Sequence, residues 1–168
     1  HCDINANNLL LDENLDMKFA DFQGRYLSPD GTILLDGLSS ENVKSSMPRS
    51  DPNYADQKTD IFALGSAICY MMTGHEPFPE LDPFDDDDEA EIIARYRSGQ
   101  FPGLDVHLGG HIVHNFWSGA YGSASEVVKA LSLISLGCAI AHVPWPLIRG
   151  PNHILTYTNS LLKMNNSG

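Results

Sequence analysis

The chain has 168 residues, 42% of them hydrophobic and 19% charged, a balance that suits one soluble globular domain with a single core. Ten Lys and Arg stand against 22 Asp and Glu, a formal net charge of −12 that argues against nucleic acid or an acidic membrane surface as partner. Three scattered cysteines, Cys2, Cys69 and Cys138, exclude a disulfide framework or zinc cluster and suggest a reduced, intracellular and cytoplasmic setting. The first residue is His1 and no signal or transit peptide precedes it, so the natural start is expected to lie upstream.

In chain order, Leu9-Leu10-Leu11 and Met17-Lys18-Phe19-Ala20 flank Asp12-Glu13-Asn14 and read as two short strands joined by a turn. Residues 23–58 hold Gly24, Pro29-Asp30-Gly31, Gly37, Pro48 and Pro52 without a sustained period, and are expected to form a long loop. Ile61, Leu64, Ile68, Met71 and Met72 recur at helical spacing up to Gly74, with Pro77 beyond. A second helix is expected to open in Asp85–Asp88, carry Ile92, Ile93 and Tyr96 on one face, and end at Gly99. The acidic run is better explained as a solvated helix start than as a calcium loop, because no EF-hand spacing follows.

Ile112, Val113, Phe116 and Trp117 mark a third helix. Ser123-Ala124-Ser125-Glu126 is a capping box opening a fourth, with Val127, Ala130, Leu131 and Ile134 inward. From Ala130 to Ile148 the only polar side chains are Ser132, Ser135 and His142, long enough to span a bilayer. Gly137, Pro144 and Pro146 interrupt the run, so a buried helix and an irregular tail are expected, with no membrane partner. His107, His111 and His114 place two imidazoles on one helix face, but no third ligand is evident for zinc.

Three stretches carry chemistry-bearing residues. His1-Cys2-Asp3-Ile4-Asn5-Ala6-Asn7-Asn8 fits H-x-D-x-x-x-x-N, Asp21-Phe22-Gln23-Gly24 is similar to D-F-G, and Asp60-Ile61-Phe62-Ala63-Leu64-Gly65 is similar to D-x-W-S-x-G. Taken singly, Asp3 and Asn8 could be ordinary turn formers, and Asp21 could merely end a strand. In this order, and with Met71-Met72-Thr73-Gly74-His75-Glu76-Pro77-Phe78, Phe101-Pro102, Trp117 and the Ser-Ala-Ser-Glu-Val helix behind them, the chain resembles the C-terminal lobe of a eukaryotic-type protein kinase. The D-F-x-G variant with Asp-Ile-Phe-Ala-Leu-Gly-Ser is particularly similar to a divergent fungal group of these kinases.

The resemblance implies an α+β, mostly α fold: a short β-hairpin plus a helical bundle, with the N-lobe absent. It covers residues 1–136, and 137–168 form an unassigned C-terminal tail. It implies ATP and Mg²⁺ as cofactors of the complete parent and an unidentified protein substrate. Asp3 would orient the acceptor hydroxyl and take its proton, while Asn8 and Asp21 would hold the metal and its nucleotide. His1 would brace the loop, and Asp60 would hydrogen-bond catalytic-loop backbone.

Departures from the pattern weaken parts of this reading. Cys2 replaces the usual Arg, so a phosphorylated loop has no cation to meet there. At the catalytic position normally filled by a phosphate-contacting Lys stands Asn5, which removes a positive charge. Gln23 replaces a glycine. No clear A-P-E precedes Asp60, Ser46-Met47-Pro48 being the nearest candidate. Tyr26, Ser28 and Ser39 lie where kinases carry regulatory phosphosites but read more simply as loop residues. No Gly-rich loop, strand lysine or helix glutamate is present, so the fragment alone is expected to be inactive. The alternatives are a pseudokinase or interaction module, and a small-molecule phosphotransferase using the same H-x-D motif.

Overall fold

The computed structural model describes residues 1–22, 24–104 and 110–141, with side chains placed up to residue 132 of the last helix. The described architecture is α+β, with four helices and two small antiparallel sheets. Strand β1 (Leu9–Leu11) pairs with β2 (Met17–Phe19), Leu10 opposite Lys18. Strand β3 (Arg25–Leu27) pairs with β4 (Ile33–Asp36). The helices are α1 (Gln57–Thr73), α2 (Asp86–Arg97), α3 (Gly110–Trp117) and α4 (Ala124–Ala141).

Helix α1 is the axis of the molecule. Every residue from Ile61 to Cys69 is buried, as is Thr59, which is what an apolar sequence without a polar face requires. Its first turn is closed by a capping box: Asp56 accepts the amides of Lys58 and Thr59 at 2.8 and 3.0 Å, and the Thr59 hydroxyl accepts the Asp56 amide at 3.1 Å. It ends at Gly74, whose φ of 80° only glycine adopts without strain, with the Gly74 amide bonded to the Tyr70 carbonyl. Against α1 lies α3, which buries Ile112, Val113, Phe116 and Trp117. Gly65 allows the approach, since a Cβ there would sit 2.6 Å from the Phe116 Cβ.

Helix α2 opens where its sequence indicated. Asp85 caps it by accepting the amides of Asp87 and Asp88, and Ile92 and Tyr96 are buried while Ile93 is half-buried. The fourth helix starts on Ser123, whose hydroxyl accepts the Glu126 amide; Glu126 reaches back one residue further than a capping box demands, to the Gly122 amide at 2.7 Å. Residue 136 falls inside α4, and the tail from 142 onward lies outside the described residues, as do Gln23 and His107. No described helix is long and apolar enough to cross a membrane.

One expectation is corrected. Residues 23–58 are not a loop throughout, because residues 25–36 form the β3–β4 hairpin. Ser28-Pro29-Asp30-Gly31 supplies its turn, with Gly31 at φ 84° and the Ser28 amide bonded to the Thr32 carbonyl. Tyr26, Leu27, Ile33, Leu34 and Leu35 are all exposed, so no polar face alternates with a buried one to announce the strands.

Candidate functional site

The site is built on the first eight residues. Ile4 is fully buried and Cys2 nearly so, which anchors the segment on the core and leaves Asp3 and Asn5 at the surface side of the turn. Asn5 stands just before a one-turn 3-10 helix, Ala6–Asn8, and accepts the Asn7 amide at 2.9 Å. The loop is fastened to α1 from below: Asp60 accepts the Cys2 backbone amide at 2.9 Å and the His1 backbone nitrogen at 2.7 Å.

Three of the four sequence-derived site residues meet directly. The Asn5 side-chain amide donates to Asp3 Oδ1 at 2.8 Å, and the Asn8 amide donates to Asp3 Oδ2 at 2.9 Å and to the Asp3 carbonyl at 2.9 Å. Both carboxylate oxygens are therefore held, and the Asp3 side chain has one orientation. Because Asn8 uses its nitrogen on Asp3, its amide oxygen is left as an acceptor.

Asp21 enters from the other strand of the hairpin. The Ala20 amide donates to the Asn8 carbonyl at 2.9 Å, and the His1 ring nitrogen Nε2 lies 3.0 Å from the Ala20 carbonyl. The next residue, Asp21, is exposed and adopts φ 57°, an unusual left-handed conformation for a non-glycine residue. Beside it, His1 sits between Phe19 and Phe22 at ring-centroid distances of 5.2 and 4.9 Å. Gly24 completes the junction, because a Cβ there would lie 2.6 Å from the His1 carbonyl oxygen.

Burial pushes the pKa of the Cys2 thiol up. Asn8 offers an amide oxygen and Asp21 a carboxylate, oxygen ligands of the kind a hard cation such as Mg²⁺ prefers over a soft one.

Two features have no signal in the sequence. Asn5 reads there only as the absence of a lysine, whereas it positions Asp3. Glu41 and Arg49 form a buried ion pair at 2.8 Å, also joined by the Ser39 hydroxyl. Burial raises the Glu41 carboxyl pKa more than the Arg49 hydrogen bond and charge lower it. They lie eight residues apart in a stretch that is neither helix nor strand, so no local periodicity connects them.

Segment 42–48 is held by a buried chain of hydrogen bonds. The Lys44 carbonyl accepts the Ser66 hydroxyl at 2.9 Å and the Tyr96 hydroxyl at 2.7 Å, and the Ser66 oxygen accepts the Trp117 indole at 3.1 Å. One backbone carbonyl thus ties this segment to α1, α2 and α3.

No protein-family model matches the chain, and no solved structure matches it. Known proteins do. It is 30% identical over 101 residues to the "Sucrose non-fermenting protein kinase 1" of Fusarium virguliforme, covering 60% of this chain and 14% of that protein. It is 32% identical over 80 residues to the SNF1-like protein kinase ssp2 of Schizosaccharomyces pombe, covering 48% of this chain and 14% of that protein. A plant protein, the proline-rich receptor-like protein kinase PERK15 of Arabidopsis thaliana, is 30% identical over 115 residues, 62% of this chain and 22% of that protein. The chain therefore corresponds to less than a quarter of the length of these relatives. Over about half its residues or more, this chain is related to the protein kinases.

Proposed function

We propose that this chain is the C-lobe, over residues 1–136, of a protein kinase that transfers the γ-phosphoryl group of ATP to a Ser or Thr hydroxyl of a protein substrate, with Tyr as the alternative acceptor. The observation that carries the reading is the Asp3 carboxylate held at both oxygens by Asn5 and Asn8. A carboxylate fixed in this way can accept a hydrogen bond from an incoming hydroxyl and take its proton as the oxygen bonds to phosphorus and the bond to the ADP leaving group breaks. Asn8, through its amide oxygen, and Asp21, through its carboxylate, would hold Mg²⁺. When bound, the ion would neutralise phosphate charge. Residues 137–168 have no role in this proposal, and ATP as donor makes the cell interior its setting.

The 168 residues contain no Gly-rich phosphate loop and no strand lysine of the kinase pattern. Positioning supplies most of the acceleration in phosphoryl transfer. Turnover is accordingly assigned to a protein in which an ATP-covering lobe joins this chain, and the isolated chain is proposed to be inert.

A pseudokinase or interaction module is the second reading, favoured by the neutral Asn5. A longer protein containing this chain, incubated with Mg·ATP and a Ser/Thr peptide library, separates the two. Peptide phosphorylation that Asp3→Asn lowers by about 10²–10⁴-fold supports the enzyme. ATP binding with no turnover in the unaltered protein sinks it and leaves the scaffold.

A further inference from the structure

Segment 39–53, tied at its start to the Cys2 carbonyl by the Ser40 amide at 3.1 Å, lies beside α2 and leaves a cavity of about 230 Å³ whose lining does not include Asp3. Val43, Met47 and Ile93 give it apolar walls. Glu89 and Arg97 stand four residues before and after Ile93, so all three share one face of α2. Neither charged group has a side-chain hydrogen bond or ion pair among the described residues, whereas their neighbour Arg95 is engaged by Glu80 and Glu91. The other charged pair lining the cavity, Glu41 and Arg49, is internally neutralised.

The notch is therefore apolar in the middle, acidic at one end and basic at the other. Eight helical residues place Glu89 and Arg97 about 12 Å apart along the axis. An extended peptide turns residues i, i+2 and i+4 to one side and covers about 13 Å in those four steps. The two spacings match.

We propose that this notch docks an extended segment of a protein partner with the pattern base–x–apolar–x–acid. The basic residue meets Glu89, the apolar side chain enters between Val43, Met47 and Ile93, and the acidic residue meets Arg97. The docking uses neither ATP nor Asp3, so it stands or falls separately from phosphotransfer.

The test is a titration of the isotope-labelled 168-residue chain with the end-blocked peptide Lys-Ala-Leu-Ala-Glu at low salt, followed by amide NMR shifts. Saturable shifts centred on Val43, Met47 and Ile93 are expected, weakened about two- to fivefold by Glu89→Lys. Because that exposed substitution leaves two cations on the notch, it should reverse the preference toward Glu-Ala-Leu-Ala-Glu. Replacing the peptide's Leu by Gly should abolish binding to both forms. Shifts scattered over the surface, failure to saturate, equal binding of the Gly peptide, or no reversal by Glu89→Lys would each overturn the proposal.

Discussion

Asp60 accepts the Cys2 backbone amide at 2.9 Å, joining residues 58 positions apart in the chain. The bond fastens the loop carrying Asp3 to the start of the central helix α1. Asp60→Ala leaves the Cys2 amide without its acceptor, and a hydrogen bond to a charged group contributes about 1.5–3 kcal/mol. The expected outcome is that loss in chemical denaturation, with faster hydrogen exchange at Cys2 and Ile4. Unchanged exchange there would show that Asp60 does not hold the loop.

Gly65→Ala sets helix propensity against packing. Propensity alone favours alanine in a helix interior by roughly 0.5–1 kcal/mol. The new methyl, however, would meet the Phe116 Cβ at 2.6 Å and the Trp117 indole nitrogen at 3.3 Å. Overpacking of a tight core costs about 1–3 kcal/mol and prevails here. Thermal unfolding should show Gly65→Ala below the parent; a rise in melting temperature would mean that α3 moves aside without cost.

Asp56 gives the chain an acid-sensitive cap. Burial alone would raise its carboxyl pKa, but the Tyr54 hydroxyl at 2.8 Å and the Thr59 and Lys58 amides outweigh it, so the net pKa lies below the ordinary 3.8. A depressed carboxyl stabilises the fold above its unfolded value, and that contribution is lost as pH falls through the folded value. Asp56→Ala is expected to cost about 1 kcal/mol at neutral pH. Asp56→Asn keeps a capping oxygen but should flatten the acid limb of stability below pH 3.8. Parallel acid limbs for the Asp56→Asn variant and the parent would refute the assignment.

Glu41 behaves in the opposite sense. Its carboxyl is raised above 4.5 by burial, so the stability held by the protonated form is present below that value and lost as pH rises through the folded pKa. Removing Arg49 removes the main opposing pull, and the pH dependence should steepen. Arg49→Met at neutral pH leaves a buried carboxylate without its counter-charge, a loss of about 3–5 kcal/mol. The double variant Arg49→Met with Glu41→Leu should recover most of it, because two apolar residues replace a buried pair at little cost. Denaturant midpoints across pH for both variants provide the check, and additive losses in the double variant would count against the pair.

The helices were legible because each is written locally. Ile61, Leu64 and Ile68 repeat at the helical period, Asp85 and Ser123 cap the next turns, and Phe116-Trp117 fall on one apolar face. The order of the Asp3, Asp21 and Asp60 motifs was legible for the same reason, as was the bond from Asp60 to the loop backbone that the family resemblance implied. The β3–β4 hairpin was not, since its apolar residues face outward on both strands and leave no alternation to read.

Sequence alone, then, determined which segments form helices and which side chains are chemically equipped, because periodicity and capping act over a few residues. Tertiary structure decided that Asn5 and Asn8 share Asp3, that Glu41 finds Arg49, and that α2 and segment 39–53 enclose a notch. These contacts are set by burying α1 from Ile61 to Cys69 and pairing most buried polar side chains, with His1 Nδ1 and Glu41 Oε1 left over among the described residues, a condition on the whole chain that no short window contains.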